Sequence, residues 1–193
     1  MVGTGYGMSL QTQDEALWIR HVAAGDREAF EKLYSVYQRR LFSFLYRLVN
    51  EVGATEELVN DVMVEVWKSA GRFRGDSKPS TWIFGIAHHV MLNYLRRRKR
   101  ESVDLEKAQN VADPGRDPEA DAMQQGLEGE IRSALGRLSA EHREIVELTF
   151  YEGYSYEEIS GIVRCPVNTV KTRMFHAKRR LHDVLARMGR GRP

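Results

Sequence analysis

Five consecutive cations, Arg96 to Arg100 (RRRKR), close a stretch in which His89, Asn93, Arg96 and Arg100 recur at steps of four, three and four. On a helix those four share one face, with Arg97 beside them. Imidazole, carboxamide and guanidinium groups in such a row can donate to base edges and phosphates, so the row points to nucleic acid. Just upstream, Phe73, Arg74, Gly75, Asp76, Ser77 and Lys78 form a turn-rich run that ends at Pro79. A loop beside a cationic helix is what catching an unstacked base requires: a pocket for the base and cations for its backbone. Opening a duplex makes such capture necessary, because stacking is worth ~1.4 kcal/mol per step.

A second cationic constellation lies near the C-terminus. Ser155-Tyr156-Glu157-Glu158 has the spacing of a capping box and predicts a short helix with Ile159, Ile162 and Val163 inward. Arg164-Cys165-Pro166 breaks it, since proline cannot continue one helix but suits the start of the next. Asn168 is read as the cap of that second helix, followed by Thr169. Val170, Met174, Ala177 and Leu181 then step by four, three and four and form its inner face. The opposite face carries Lys171, Thr172, Phe175, His176, Lys178 and Arg179, with no acid before Asp183. A capped short helix, a tight turn and a basic second helix make a helix-turn-helix; an ordinary helical hairpin is the alternative. On the DNA reading Lys171 reaches guanine, Thr172 a base or phosphate, and Lys178 and Arg179 phosphates. Phe175 meets either a thymine methyl or the first helix of the motif.

One acidic face stands apart. A helix over Glu56–Ser69, opened by Thr55, puts Glu57, Asp61 and Glu65 one turn apart, flanked by Val62 and Val66. Acids repel DNA, so this face meets protein or solvent. Catalytic arrangements are not found. The six histidines include no pair at i, i+4, no Cys/His cluster has metal-ligand spacing, and no glycine loop cradles a phosphate. We therefore expect neither an enzyme nor a metal or cofactor. Cys165 is the single cysteine, which precludes an internal disulfide and reads as a small buried filler. Trp82 either stacks on a base or, given its spacing from Ile86, belongs to the core.

These groups need rigid carriers. The chain has 193 residues, 42% of them apolar, and a net charge of +2. No apolar run reaches the ~18 residues of a membrane span, and the N-terminus lacks a signal-peptide pattern, so a cytoplasmic protein without membrane insertion is expected. Helical periodicity dominates. Phe30, Leu33, Tyr37, Leu41, Phe44, Leu45 and Leu48 mark one long amphipathic helix, and Leu58, Val62 and Val66 mark the next. Ile83, Ala87, Val90 and Tyr94 mark the inner face of the helix running into the arginines. Leu127, Ile131, Leu135 and Leu138 start another helix, and Ile145, Leu148 and Tyr151 a further one. Between them, residues 101–124 carry seven acids against Lys107 and Arg116, with two Asp-Pro steps at 113–114 and 117–118. The predicted fold is all-α: a loose tail over residues 1–9, a helical domain over 10–100, a flexible acidic linker over 101–122, a helix-turn-helix domain over 123–188, and a basic tail over 189–193.

The stretch SYEEISGIVRCPVNTVKTRMFHAKRRL resembles the C-terminal promoter-reading module of the extracytoplasmic-function sigma factors of bacterial RNA polymerase. A related module ends many response regulators, so this half leaves a stand-alone helix-turn-helix regulator open as the alternative. ATEELVNDVMVEVWKSAGRFRGDSKPSTWIFGIAHHVMLNYLRRRKR is similar to the central domain of the same family over its whole length. The resemblance implies core RNA polymerase as partner, through the β′ coiled coil and the β flap, with Glu57, Asp61, Val62 and Glu65 docking on the coiled coil. It implies promoter DNA as the second partner and an anti-sigma factor as a third. The Phe73–Lys78 loop would capture a flipped base of the minus-ten element near His89 and Asn93, and the C-terminal module would read the minus-thirty-five element. The family often has asparagine at His89, glycine at Asn168 and arginine at His176; these departures bear on which promoter sequence is read.

Overall fold

A computed structural model describes residues 10–108 and 133–189 of the chain. Among these the regular structure is all helical, and the chain divides into two compact units. The first is carried by α1 (Leu10–Ala23), α2 (Arg27–Val49), α3 (Val52–Ser69), a 3-10 turn (Ala70–Arg72) and the first half of α4 (Pro79–Ala108). The second takes α4 from Tyr94 onward, a helical turn over 133–136, α5 (Ala140–Phe150), α6 (Tyr156–Val163) up to Ser160, and α7 (Val167–Gly189); Gly161–Val163 group with the first. The expected tails at 1–9 and 190–193, the linker over 109–122, Leu127 and Ile131 lie outside the described residues. No helix among the described residues is long and apolar enough to cross a membrane.

In the first unit α2 is the central element. Asp26 opens it by accepting the Ala29 N–H at 3.1 Å, and Asn50 closes it in the left-handed conformation. Its predicted stripe is the core: Leu33, Tyr37, Leu41, Phe44 and Leu45 are fully buried. The Tyr37 hydroxyl donates to Glu15 of α1 at 2.6 Å, so two buried polar groups satisfy each other. Leu58, Val59, Val62, Met63 and Val66 bury the inner side of α3, and the Trp67 ring meets Phe30 edge-on at 5.3 Å.

Two expected helix boundaries shift. α3 starts at Val52 rather than Glu56, because the buried Thr55 turns its hydroxyl back to the Glu51 carbonyl at 2.6 Å instead of capping. α4 runs to Ala108, eight residues past the expected boundary at Arg100. Glu101, Glu106 and Lys107 are good helix formers, and no proline intervenes before Pro114. The inner face of α4 is also rotated slightly: Ile83, Phe84, Ala87 and Met91 are fully buried, while Val90 and Tyr94 are only half-buried.

The second unit is pinned by one arginine. Ser139 caps α5 by accepting the His142 N–H, and Arg143, one residue on, reaches back to the end of the preceding turn. It donates to the carbonyls of Leu135 (3.0 Å), Gly136 (2.9 Å) and Leu138 (3.4 Å). These are carbonyls that a helix end leaves without intrahelical partners. Burial pushes the Arg143 guanidinium below its ordinary value, and the Glu147 carboxylate opposes that shift. Arg143→Ala should destabilise the chain by about 2–3 kcal/mol, because three charged hydrogen bonds to the carbonyls of one partly buried turn are lost together. Urea unfolding of the full chain checks this; a midpoint unchanged from the parent would show that the turn is held by apolar packing alone.

Candidate nucleic-acid interface

The loop after the 3-10 turn is built from its ends inward. The Phe73 N–H closes the turn on the Ala70 carbonyl at 3.1 Å, and the Phe73 ring packs on Trp82 at 5.2 Å. Trp82 is half-buried and engaged by Phe73, which favours its core role over base stacking. Gly75 has φ +79°, a backbone that side chains disfavour, and this lets the loop reverse. Arg74 and Asp76 pair across it at 3.0 Å, both largely exposed, so the pair is a weak tether that a ligand can displace. Ser77 and Lys78 are exposed, and the Lys78 carbonyl accepts the Trp82 N–H at 3.1 Å, starting α4 ahead of Pro79.

The face of α4 read from the sequence is free of the core. His89, Asn93, Arg96, Arg97 and Arg100 are all exposed. The azimuth is set by Phe84, whose ring lies 5.2 Å from Phe44 of α2, with the Arg40 guanidinium 5.3 Å over it. Arg97 lies 5.8 Å over the Tyr94 ring and 3.8 Å from Glu101, so part of its charge is already matched.

On α3 the acids sit as expected but the apolar partner does not. Glu57 and Asp61 are exposed and Glu65 is half-buried. Val62 is completely buried, so it cannot contact a partner and leaves the docking set. Val62 shares the inward stripe of Leu58 and Val66, a signal the sequence already carried. Two large apolar residues of α3 are exposed, Val52 at its start and Val64; Val64, 48% accessible, lies about 200° around the helix from Val62, beside the acids.

In the second unit the capping box forms: the Glu158 N–H donates to the Ser155 hydroxyl at 3.2 Å, and the Ser155 N–H to the Glu158 carboxylate at 2.9 Å. α6 ends at Arg164 in the left-handed conformation, φ 50°. The Ser160 hydroxyl then donates to the Cys165 carbonyl at 2.6 Å and tightens the turn. α7 begins at Val167, so Asn168 is not its cap. The Pro166 carbonyl takes the Thr169 and Val170 N–H groups instead, and Asn168 sits exposed in the first turn. Val170, Met174 and Ala177 are buried. Lys171, Thr172, Phe175, His176, Lys178 and Arg179 are exposed, and Thr169 is half-buried. Phe175 is 62% accessible, which excludes its burial against the first helix of the motif. The Thr172 hydroxyl donates to the Asn168 carbonyl at 2.9 Å, leaving its oxygen and methyl for a ligand. Lys178 lies 5.7 Å over the Phe150 ring of α5.

The two halves also match known proteins. Residues 33–101 match the model of sigma-70 region 2, and residues 128–181 that of sigma-70 region 4. The chain is 32% identical to the ECF RNA polymerase sigma-E factor of Haemophilus influenzae, over 92% of this chain and 98% of that one. It is 27% identical to the RNA polymerase sigma-H factor of Pseudomonas aeruginosa, over 92% and 96%. Among solved structures it resembles the sigma factor RpoE of Bartonella quintana in complex with the anti-sigma factor NepR, with TM-score 0.66 and 26% identity over 81% of this chain and 96% of that one. CnrH, in complex with the cytosolic domain of CnrY, has the same fold, with TM-score 0.66 at 21% identity over 90% and 97%.

Two stretches of the chain, each matching one sigma-70 region, define a transcription initiation factor. The chain belongs to the extracytoplasmic-function family of RNA polymerase sigma factors, which bind core polymerase and direct it to promoters. The match to region 2 over residues 33–101 decides against a stand-alone helix-turn-helix regulator.

Proposed function

We propose that the first unit docks on core polymerase and opens the minus-ten element, while the second reads the minus-thirty-five element. The observation that carries this is the row His89, Asn93, Arg96 and Arg100, exposed together on one face of α4. The loop from Phe73 to Lys78 supplies the base pocket, with Phe73 braced by Trp82 so that the exposed Arg74–Lys78 arc is presented rather than collapsed. The protein itself catalyses nothing; bond formation belongs to the polymerase. It acts in the cytoplasm. The RpoE relative is seen with an anti-sigma factor, and kinship supports the same restraint here. The β flap is the contact of the C-terminal helix-turn-helix.

Docking on the β′ coiled coil falls to Glu57, Asp61 and Glu65, with Val64 supplying the apolar contact. Asp61→Lys and Val64→Asp should each weaken core polymerase binding tenfold or more, about 1.4 kcal/mol, with thermal melting unchanged because both sites are exposed. Core affinity equal to the parent in both variants would move the docking surface elsewhere.

His89→Ala and Asn93→Ala should impair strand opening more than duplex binding. Arg96→Ala should weaken binding to all sequences and lower the salt slope by ~0.9, the value for one neutralised phosphate. Permanganate footprints of the holoenzyme bubble separate the two effects, and a normal bubble in both alanine variants would remove base capture from α4.

On α7, Lys171 stands one turn from the N-terminal end, where a recognition helix meets base edges. Lys171→Ala should cost ~1–3 kcal/mol and relax preference at one base pair of the minus-thirty-five element. Lys178, held against Phe150, should act on phosphates, so that Lys178→Ala lowers all sequences evenly. Transcription from a randomised promoter library is the measurement; an even loss in both variants would mean that α7 positions the protein without reading bases.

A further inference from the structure

A cleft of about 330 Å3 opens between the N-terminal turn of α5 and the outer face of α7. Arg137, His142, His176, Arg179, Arg180 and Asp183 line it, so three guanidinium groups meet one carboxylate. That carboxylate already has a neighbour, the His182 Nδ1 at 3.6 Å. The other acid close by, Glu141, is engaged by Arg173 at 3.4 Å. The His142 and His176 rings approach to 6.3 Å between centroids, tilted by 41°. His142 is half-buried and His176 exposed, so the cleft is open to a ligand on one side. The first turn of α5 adds the positive end of a helix dipole.

We propose that this cleft is a phosphate-binding site in which His142 and His176 take one phosphate of the DNA backbone between them, flanked by Arg179 and Arg180. The proposal rests on the reading of α7 as the DNA-facing helix. It adds a residue, His142, from an element outside the helix-turn-helix. A neutral imidazole donates one N–H; an imidazolium donates two and carries charge. Two imidazolium ions at this spacing repel, and a phosphate between them removes the repulsion, so protons and phosphate bind together. Affinity therefore rises as protons are added to the pair. The groups facing the pair are Arg137 from the preceding turn, Glu141 on α5, and Arg173, Arg179, Arg180 and Asp183 on α7, with the His182 imidazole against Asp183. Carboxylates and guanidinium groups ordinarily keep their charges between about pH 6 and pH 8.

Proton resonances of the two imidazole rings in the full chain test the site, titrated near pH 6 and near pH 8. One arm uses inorganic phosphate and the other a short DNA duplex. His142 and His176 should shift together in both arms, more strongly near pH 6. The salt slope of duplex binding should be steeper by ~0.9 near pH 6 than near pH 8, the increment for one further neutralised phosphate. The double variant His142→Gln/His176→Gln should melt like the parent and lose that pH dependence. A His142 resonance that stays still in both arms, or a double variant that keeps the full pH dependence, overturns the site. Shifts with inorganic phosphate but not with duplex uphold the site and instead overturn the reading of α7 as the DNA-facing helix.

Discussion

Burial of Phe84 against Phe44 fixes how α4 is rotated about its axis, and what the first unit presents to DNA follows from that rotation. The rings meet at 5.2 Å, and Arg40 lies over both Phe84 and Tyr37 with its charge directed onto their faces. Such contacts add ~0.5–1.5 kcal/mol beyond burial, but their larger effect is geometric. With Ile83, Ala87 and Met91 fully buried beside Phe84, the residues about half a turn away cannot reach the core. His89, Asn93 and the arginines point outward because these apolar residues point inward. A change that let α4 roll by one residue would lose the DNA face without touching any DNA contact.

The same constraint governs α7. Val170, Met174 and Ala177 are buried, and the cationic residues occupy what remains of the circumference. Arg173, on the margin between the two faces, is tied to Glu141 of α5. A charge tied at the edge is lost to recognition but helps hold α7 against α5. That division leaves Lys171 and Phe175 directed away from the core, with His176 beside His142 of α5.

Much of this was legible in the sequence because it depends on spacing alone. The stripe of α2 follows from steps of three and four, and the capping box at Ser155 from a fixed separation of hydroxyl and carboxylate. Other features depend on energies that spacing does not carry. Whether Thr55 caps a helix or folds its hydroxyl back depends on burial. Whether Asn168 or Pro166 ends the turn depends on which carbonyl the α7 N–H groups reach. The extension of α4 past Arg100 reflects only the lack of a breaker, although charge and composition there suggested a linker. Val62 was misplaced because acids flank it in sequence, although its period with Leu58 and Val66 turns it inward. His142 was invisible, since its partner His176 lies on another helix and only packing joins them.

Exposed acids and exposed cations occupy different helices, α3 and α4, and that segregation bears on what can approach each. Glu57 and Asp61 face solvent on α3, while Arg96 to Arg100 face solvent on α4. Exposed charges are screened beyond about 8–10 Å at physiological salt, so each face acts on what comes close to it rather than on the molecule as a whole. A polyanion is attracted by the cations of α4 and repelled by the acids of α3, and a basic protein surface meets the reverse. The net charge of +2 conceals this, because the opposed faces nearly cancel. A chain with the same net charge and its charges mixed would bind neither partner in a fixed orientation. On the reading proposed above, orientation matters because a base can be trapped only if the loop at Phe73 arrives at the strand that polymerase holds. Segregation therefore supplies register as well as attraction, through local fields that act before any base is touched.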